Sequence, residues 1–94
     1  MVLELAHFAI TPGSEDAFAA AYAEAAALVE QTPGFRSRRM VRGLESPSQF
    51  VLLVEWDSVD AHQAFRDSDR FPAWRALIGP HFAAPPNVEH WFDL

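Results

Sequence analysis

The sequence contains no cysteine and no lysine among its 94 residues. Without cysteine, the chain has no disulfide, no thiolate nucleophile and no cysteine ligand for zinc or an iron–sulfur cluster. Without lysine, it cannot form a Schiff base with a carbonyl substrate or with pyridoxal phosphate. Histidine, carboxylate and arginine side chains are therefore the candidates for any chemistry.

Positive charge is also scarce, since seven arginines face thirteen acidic residues and the net charge is −6. Nucleic-acid binding needs a basic surface, so the composition argues against a nucleic-acid partner. No apolar run approaches the roughly 20 residues of a membrane span. The opening residues, MVLELAHFAI, lack the basic region of a signal peptide. We expect a cytoplasmic protein without a membrane partner.

Apolar residues are abundant, with half of the chain hydrophobic and eight Phe and three Trp present. A chain of this length forms one domain, which we place at residues 1–94. So small a domain buries only about 60–65% of the surface of its unfolded chain. Association with a second copy would therefore help to stabilise it.

Hydrophobic periodicity and turn residues predict an alternation of strands and helices. We predict strands at 2–10, 35–44, 50–56 and 88–94, a helix from the Ser14 cap to about Gln31, a helix from the box at 57–60 to about Asp67, and a short helix at 71–78. The order β-α-β-β-α-β is that of the ferredoxin-like fold, an α+β fold with an antiparallel sheet.

One face of this sheet should remain uncovered, because both helices of such a fold cover the other face. Residues 50–54 are apolar in both strand phases. Soluble monomers rarely keep an exposed apolar patch of that kind. We expect a second copy to cover it, with Leu52 or Val54 facing outward. The alternative cover is the loop at 79–87.

No strong catalytic motif is present, which leaves four histidines to consider. His7, in the first strand, is either a structural residue or a proton acceptor, since histidine titrates near neutral pH. His62 lies on the second helix, either at the solvent side or at a pocket. His81 follows the Gly79-Pro80 break at a candidate pocket rim, and His90 lies in the last strand. No two histidines have metal-ligand spacing on one element, so we expect no metal site.

Arginines and aromatic residues complete the candidate site. Arg75 either pairs with a carboxylate or holds an anionic oxygen of a ligand. Arg39 is the member of the arginine-rich second strand that we assign to ligand contact. Phe65 and Trp74 either stack on a flat aromatic ligand or pack in the core, and Phe82 lies in the same aromatic set.

The chain resembles the antibiotic biosynthesis monooxygenase family, which consists of small dimeric α/β-barrel proteins. The resemblance extends along the chain and rests on the segments Ile10-Thr11-Pro12-Gly13, Thr32-Pro33-Gly34-Phe35, Val54-Glu55-Trp56-Asp57-Ser58 and Ala64-Phe65-Arg66-Asp67-Ser68-Asp69-Arg70-Phe71. It implies a homodimeric barrel. It also implies either a cofactor-independent monooxygenase of a phenol, quinol or anthrone, or a non-catalytic binding module for a small aromatic or acyl ligand.

Under the enzyme hypothesis, His7 or His62 is the base and Arg75 is the partner of the substrate anion. The substrate-binding residues are then Phe65, Trp74, Arg39, His81 and Phe82. The resemblance implies that no cofactor is needed.

The haem-degrading branch of this family has an Asn in strand one, a Trp in helix two and a His in the short helix. This sequence has Ala6, Phe65 and Arg75 at the matching positions. We therefore expect no haem degradation.

Overall fold

The computed structural model, which describes residues 1–94, has the predicted order of strands and helices. The strands are β1 (Val2–Ala9), β2 (Phe35–Arg42), β3 (Gln49–Trp56) and β4 (Asn87–Trp91), and the helices are α1 (Glu15–Glu30), α2 (Val59–Arg66) and α3 (Arg70–Ile78). The strands form one antiparallel sheet in the order β2-β3-β1-β4. The predicted α+β ferredoxin-like fold is confirmed. No helix has the length and apolar character needed to cross a membrane.

Local chemistry explains where the helices begin. The Ser58 hydroxyl accepts a hydrogen bond from the Ala61 backbone N–H at 3.2 Å, which caps α2. Ser14 occupies the cap position of α1, but its side chain makes no capping bond. The Glu15 carboxylate instead accepts from the Gly13 N–H at 2.8 Å and from the Ser48 hydroxyl at 2.6 Å. The first turn of α1 is thus held through its acidic residue.

Strand alternation gives the sheet two different faces. The even-numbered residues of β1 and β3 face the helices, and those that are buried are Glu4, Ala6, Phe8, Phe50, Leu52, Val54 and Trp56. Leu52 and Val54 are 3% and 1% exposed, so the expectation that one of them faces outward is wrong. Val51 and Leu53 face outward instead, because alternate side chains of a strand point to opposite faces.

The sheet surface away from the helices, here called the open face, combines apolar residues with polar ones such as His7, Arg39, Glu55 and Glu89. Its apolar residues form three cross-strand pairs, which are Leu3 with Trp91, Leu5 with Leu53 and Val41 with Val51. Trp91 is half exposed. No part of this chain covers these residues in the way that the helices cover the other face.

The segment at 79–87 does not cover the open face, so that alternative is wrong. It runs along the helix side of the sheet, where the Phe82 ring stacks on Phe8 with centroids 5.3 Å apart. The Ala83 N–H donates to the Ala9 carbonyl at 2.8 Å, and Pro86 lines a cavity on that side. The segment thereby closes one side of the candidate site.

Candidate functional site

A cavity of about 270 Å³ lies between the sheet and helices α2 and α3. Ten of its fifteen lining residues are hydrophobic. Its aromatic walls are Phe8, Trp56, Phe65, Phe71 and Trp74, and its polar residues are Glu4, His62, Arg66 and Arg75. Ligand pockets usually measure about 300–1,000 Å³, so this cavity suits a small ring system.

Glu4 supplies a buried carboxylate to this cavity, with only 7% of the residue exposed. Its Oε1 accepts a hydrogen bond from the Trp56 indole N–H at 2.9 Å, and His62 Nε2 lies 3.3 Å from the same oxygen. Burial raises the pKa of Glu4 to about 6, although the Trp56 hydrogen bond and the Arg66 charge act in the opposite direction. A carboxylate with this pKa is a suitable base near neutral pH.

His62 lies inside the domain, on the cavity side of α2, and is 5% exposed. Its ring stacks on Trp56 with centroids 5.3 Å apart, and its Nδ1 lies 2.7 Å from His90 Nε2. Burial, together with the charges of His90 and Arg66, lowers the pKa of His62 to about 4. At neutral pH the His62 imidazole is therefore uncharged.

One proton arrangement satisfies this chain of groups. The neutral His62 ring carries one N–H, and Glu4 Oε1 can only accept when ionised. With the proton on Nε2, His62 faces the carboxylate with a donor, and Nδ1 accepts from the His90 Nε2–H.

Arg75 brings positive charge to the cavity without a carboxylate partner. It lines the cavity and is absent from the three salt bridges of the structure. Its guanidinium carbon lies 5.5 Å from the Phe82 ring centroid and 6.0 Å from that of Phe71. Cation–π contacts hold the group in place while its hydrogen-bond donors remain available to an anion.

The structure brings His62, Phe65, Trp74 and Arg75 together around the cavity. Phe65 and Trp74 are 3% and 5% exposed and meet edge to face with centroids 6.3 Å apart. Both residues therefore belong to the core and to the cavity wall at once.

Four other predicted site residues lie outside the cavity lining. His7 and Arg39 are on the open face, opposite Val51 and Leu53 in the strand register. His81 lies near the Phe18 ring, with centroids 6.5 Å apart. Phe82 contributes only indirectly, since its ring holds the guanidinium of a cavity arginine.

A β-bulge explains the position of Arg39. The register of β2 shifts between Phe35 and Ser37, which puts Phe35 on the helix side, 6.0 Å from the Trp56 ring. Beyond the bulge, Arg39 points to the opposite face. Phe35 and Arg39, which regular strand alternation would put on the same face, therefore lie on opposite faces of the sheet.

Sequence reasoning missed the roles of Glu4 and His90. A signal for Glu4 was present, since it is the one charged residue in the inward phase of an otherwise apolar strand. His90 had no such signal, because only the pairing of Glu4 with His90 in the β1–β4 register brings the two together. No group of three His, Asp or Glu side chains converges in a way that could hold a metal ion.

The sequence matches the antibiotic biosynthesis monooxygenase family over residues 1–77. The uncharacterised protein YczJ of Bacillus subtilis is 32% identical over 95 residues, and the match covers both chains completely. A candidate antibiotic biosynthesis monooxygenase from Bordetella bronchiseptica has a crystal structure that superposes with a TM-score of 0.95, at 36% identity, over 99% of this chain and 96% of that one.

SnoaB, a cofactor-independent oxygenase from Streptomyces nogalater, shares the fold. It superposes with a TM-score of 0.87 at 17% identity, over 99% of this chain and 92% of that one. The family match, the relatives and the fold agree, and the chain belongs to the antibiotic biosynthesis monooxygenase family.

Proposed function

We propose that this protein is a cofactor-independent monooxygenase that acts on a small aromatic substrate, a phenol, a quinol or an anthrone. The observation that carries the proposal is the buried Glu4 carboxylate in an aromatic-walled cavity, paired with an uncharged His62. The shared fold of SnoaB, a cofactor-independent oxygenase, supports the proposal.

The proposed reaction begins with loss of a proton from the substrate to Glu4. The resulting electron-rich anion reacts directly with oxygen, so that one oxygen atom enters the product and the other leaves as water. For an anthrone, the CH₂ carbon becomes a carbonyl and supplies all four electrons that reduce the oxygen molecule. No external reductant is required, and the contribution of the protein is a base, a dry site and charge stabilisation.

The charges around the cavity suit this sequence of steps. Glu4 provides the base, and its pKa near neutrality matches proton removal at physiological pH. Arg75, which has no carboxylate partner, is placed to stabilise the negative oxygen of the substrate anion. Ten of the fifteen lining residues are hydrophobic, and such surroundings strengthen both electrostatic interactions.

We also propose that the protein is a homodimer that pairs through the open face. On this face Leu5 pairs with Leu53 across β1 and β3, Leu3 pairs with Trp91 of β4, and Val51 pairs with Val41 of β2. Burial of this surface against a second copy would stabilise the dimer by about 25 cal/mol for each Å² of apolar surface removed from water.

Oxygen uptake by the purified, metal-free protein tests the enzyme proposal. We expect uptake above the buffer control with at least one member of a panel of phenols, naphthoquinols and anthrones. Glu4→Gln should lower the rate about a hundredfold or more, because it removes the base but keeps the acceptor for Trp56. Glu24→Gln, which makes the same change at an exposed position of α1, is the matched control and should retain the parent rate.

Arg75→Gln should lower the rate by a different route, since it removes the anion partner and leaves the base in place. Its pH midpoint should stay close to that of the parent. Absence of uptake across the whole panel would refute the oxygenase proposal. The binding module for a small aromatic or acyl ligand would then replace it, and ligand binding to the same cavity would be measured by quenching of Trp56 and Trp74 fluorescence.

A further inference from the structure

We propose that His90 is a positioning residue for the reaction: through His62 it holds a donor N–H against Glu4 Oε1 and leaves Glu4 Oε2 free to take the substrate proton. This inference rests on the proposed function and extends it to the edge strand β4. His90 does not line the cavity and reaches it only through its contact with His62.

The three side chains come from three different elements and form a continuous chain of contacts. Glu4 of β1 lies 3.3 Å from His62 of α2, and His62 lies 2.7 Å from His90 of β4. The β1–β4 register pairs Glu4 directly with His90, so the backbone of the sheet sets this spacing. The chain of contacts runs from a buried carboxylate through a buried imidazole to an exposed residue.

His90 acts on Glu4 because an imidazole ring couples its two nitrogens. In a neutral ring one nitrogen donates and the other accepts, and the partner of the first decides the state of the second. A donor from His90 at Nδ1 commits His62 to a proton on Nε2, the atom that faces Glu4. The stacking of His62 on Trp56, with ring planes 17° apart, then fixes the direction of that N–H.

The carboxylate is held in an asymmetric environment. Oε1 accepts a hydrogen bond from the Trp56 indole and lies 3.3 Å from His62 Nε2, whereas no protein group donates to Oε2. The other charged groups that line the cavity around this carboxylate are Arg66 from α2 and Arg75 from α3. Both are permanently charged, and neither provides a geometric restraint on the carboxylate plane. Removal of the His62 donor would therefore disfavour the ionised form of Glu4 and loosen its orientation.

His90→Ala and His90→Gln separate this role from a merely structural one. Both variants remove the imidazole, but the Gln side chain can still donate an N–H to His62 Nδ1. We expect His90→Ala to lower kcat about 10- to 100-fold, which is the loss seen at metal sites when a residue that orients a ligating side chain is removed. It should also raise the pH midpoint of the rate, and His90→Gln should restore most of both. Asp93→Asn, on the same exposed segment, should match the parent.

Carbon-13 NMR titration of the Glu4 carboxyl group supplies a readout that does not need enzyme activity. The Glu4 pKa should be higher in His90→Ala than in the parent and return toward the parent value in His90→Gln. An unchanged Glu4 pKa in His90→Ala would overturn the inference. So would a His90→Gln protein that behaves like His90→Ala, since an N–H donor to His62 Nδ1 would then not be what matters. If the parent shows no oxygen uptake, the oxygenase proposal fails, and the titration still decides the positioning role.

Discussion

Glu4 and His62 make opposing contributions to the pH dependence of stability, so Glu4→Gln should make the protein markedly more sensitive to acid. The pKa of Glu4 is about 6 in the folded protein and 4.5 as an ordinary carboxyl. This difference corresponds to a pH-dependent contribution of about 2 kcal/mol to the free energy of unfolding. Because the folded value is the higher one, this stabilisation is present below pH 4.5 and is lost as the pH rises through 6.

The contribution of His62 has the opposite sign. Its pKa is about 4 in the folded protein and 6.5 as an ordinary imidazole, which corresponds to at most about 3 kcal/mol. Since the folded value is the lower one, this stabilisation is present above pH 6.5 and is lost as the pH falls toward 4. In the parent protein the two contributions partly offset each other, so the free energy of unfolding falls by about 1 kcal/mol between pH 7 and pH 4.

Glu4→Gln removes the opposing contribution and exposes the full effect of His62. Between pH 7 and pH 4 the variant should lose about 2 kcal/mol more stability than the parent, whereas His62→Gln should lose about 3 kcal/mol less. A domain of this size has a total stability of about 5–15 kcal/mol, so both differences are measurable.

Urea unfolding followed by far-ultraviolet circular dichroism, at fixed protein concentration and four pH values, gives the required free energies. Glu24→Gln, which removes one carboxyl group at an exposed position of α1, is the matched control. A Glu4→Gln curve parallel to that of the parent, within 0.5 kcal/mol (about the error expected of such comparisons), would refute the assignment of opposing titrations.

Three further predictions follow from the fold and the sequence. Leu53→Arg should yield monomer or aggregate in sedimentation velocity, because it places an unpaired charge in the proposed interface. Val59→Arg, at an exposed position of α2, is the control and should remain dimeric. An intact Leu53→Arg dimer would contradict the open-face interface. Gly13→Ala should cost about 1–2 kcal/mol in urea unfolding, since its φ is 95°. Gly34→Ala should cost more, because its φ is 91° and its Cβ would lie 2.6 Å from that of Ala61; equal costs would show that the contact relaxes. When haemin and then a reductant are added to the protein, visible spectra should show no ordered degradation product. Clean conversion would overturn the argument from Ala6, Phe65 and Arg75, which replace the residues of the haem-degrading branch.

Local sequence determined the elements and the fold class of this protein. Strand alternation, the turn residues and the Ser58 cap act within a few residues of one another, so their effects are visible in a single chain. The same local order placed Phe65, Trp74 and His62 on helices that cover the sheet. Their presence around the cavity was therefore within reach of sequence reasoning.

Tertiary structure decided which strand phase faces which side and which distant side chains meet. A strand register that slips by one residue moves every side chain to the other face, and nothing local specifies it. For this reason Val51 and Leu53, not Leu52 or Val54, face outward, and a bulge after Phe35 turns Arg39 away from the cavity.

The contact of His62 with His90 depends most strongly on tertiary structure. Glu4 and His90 lie at opposite ends of the sequence, and only the pairing of β1 with β4 brings them to the same point of the sheet. The burial that raises the pKa of Glu4 and lowers that of His62 likewise exists only once the helices close over the sheet. The sequence determined which residues are present for acid–base chemistry, and the packing of the sheet against the helices determined that a carboxylate and two imidazoles meet there.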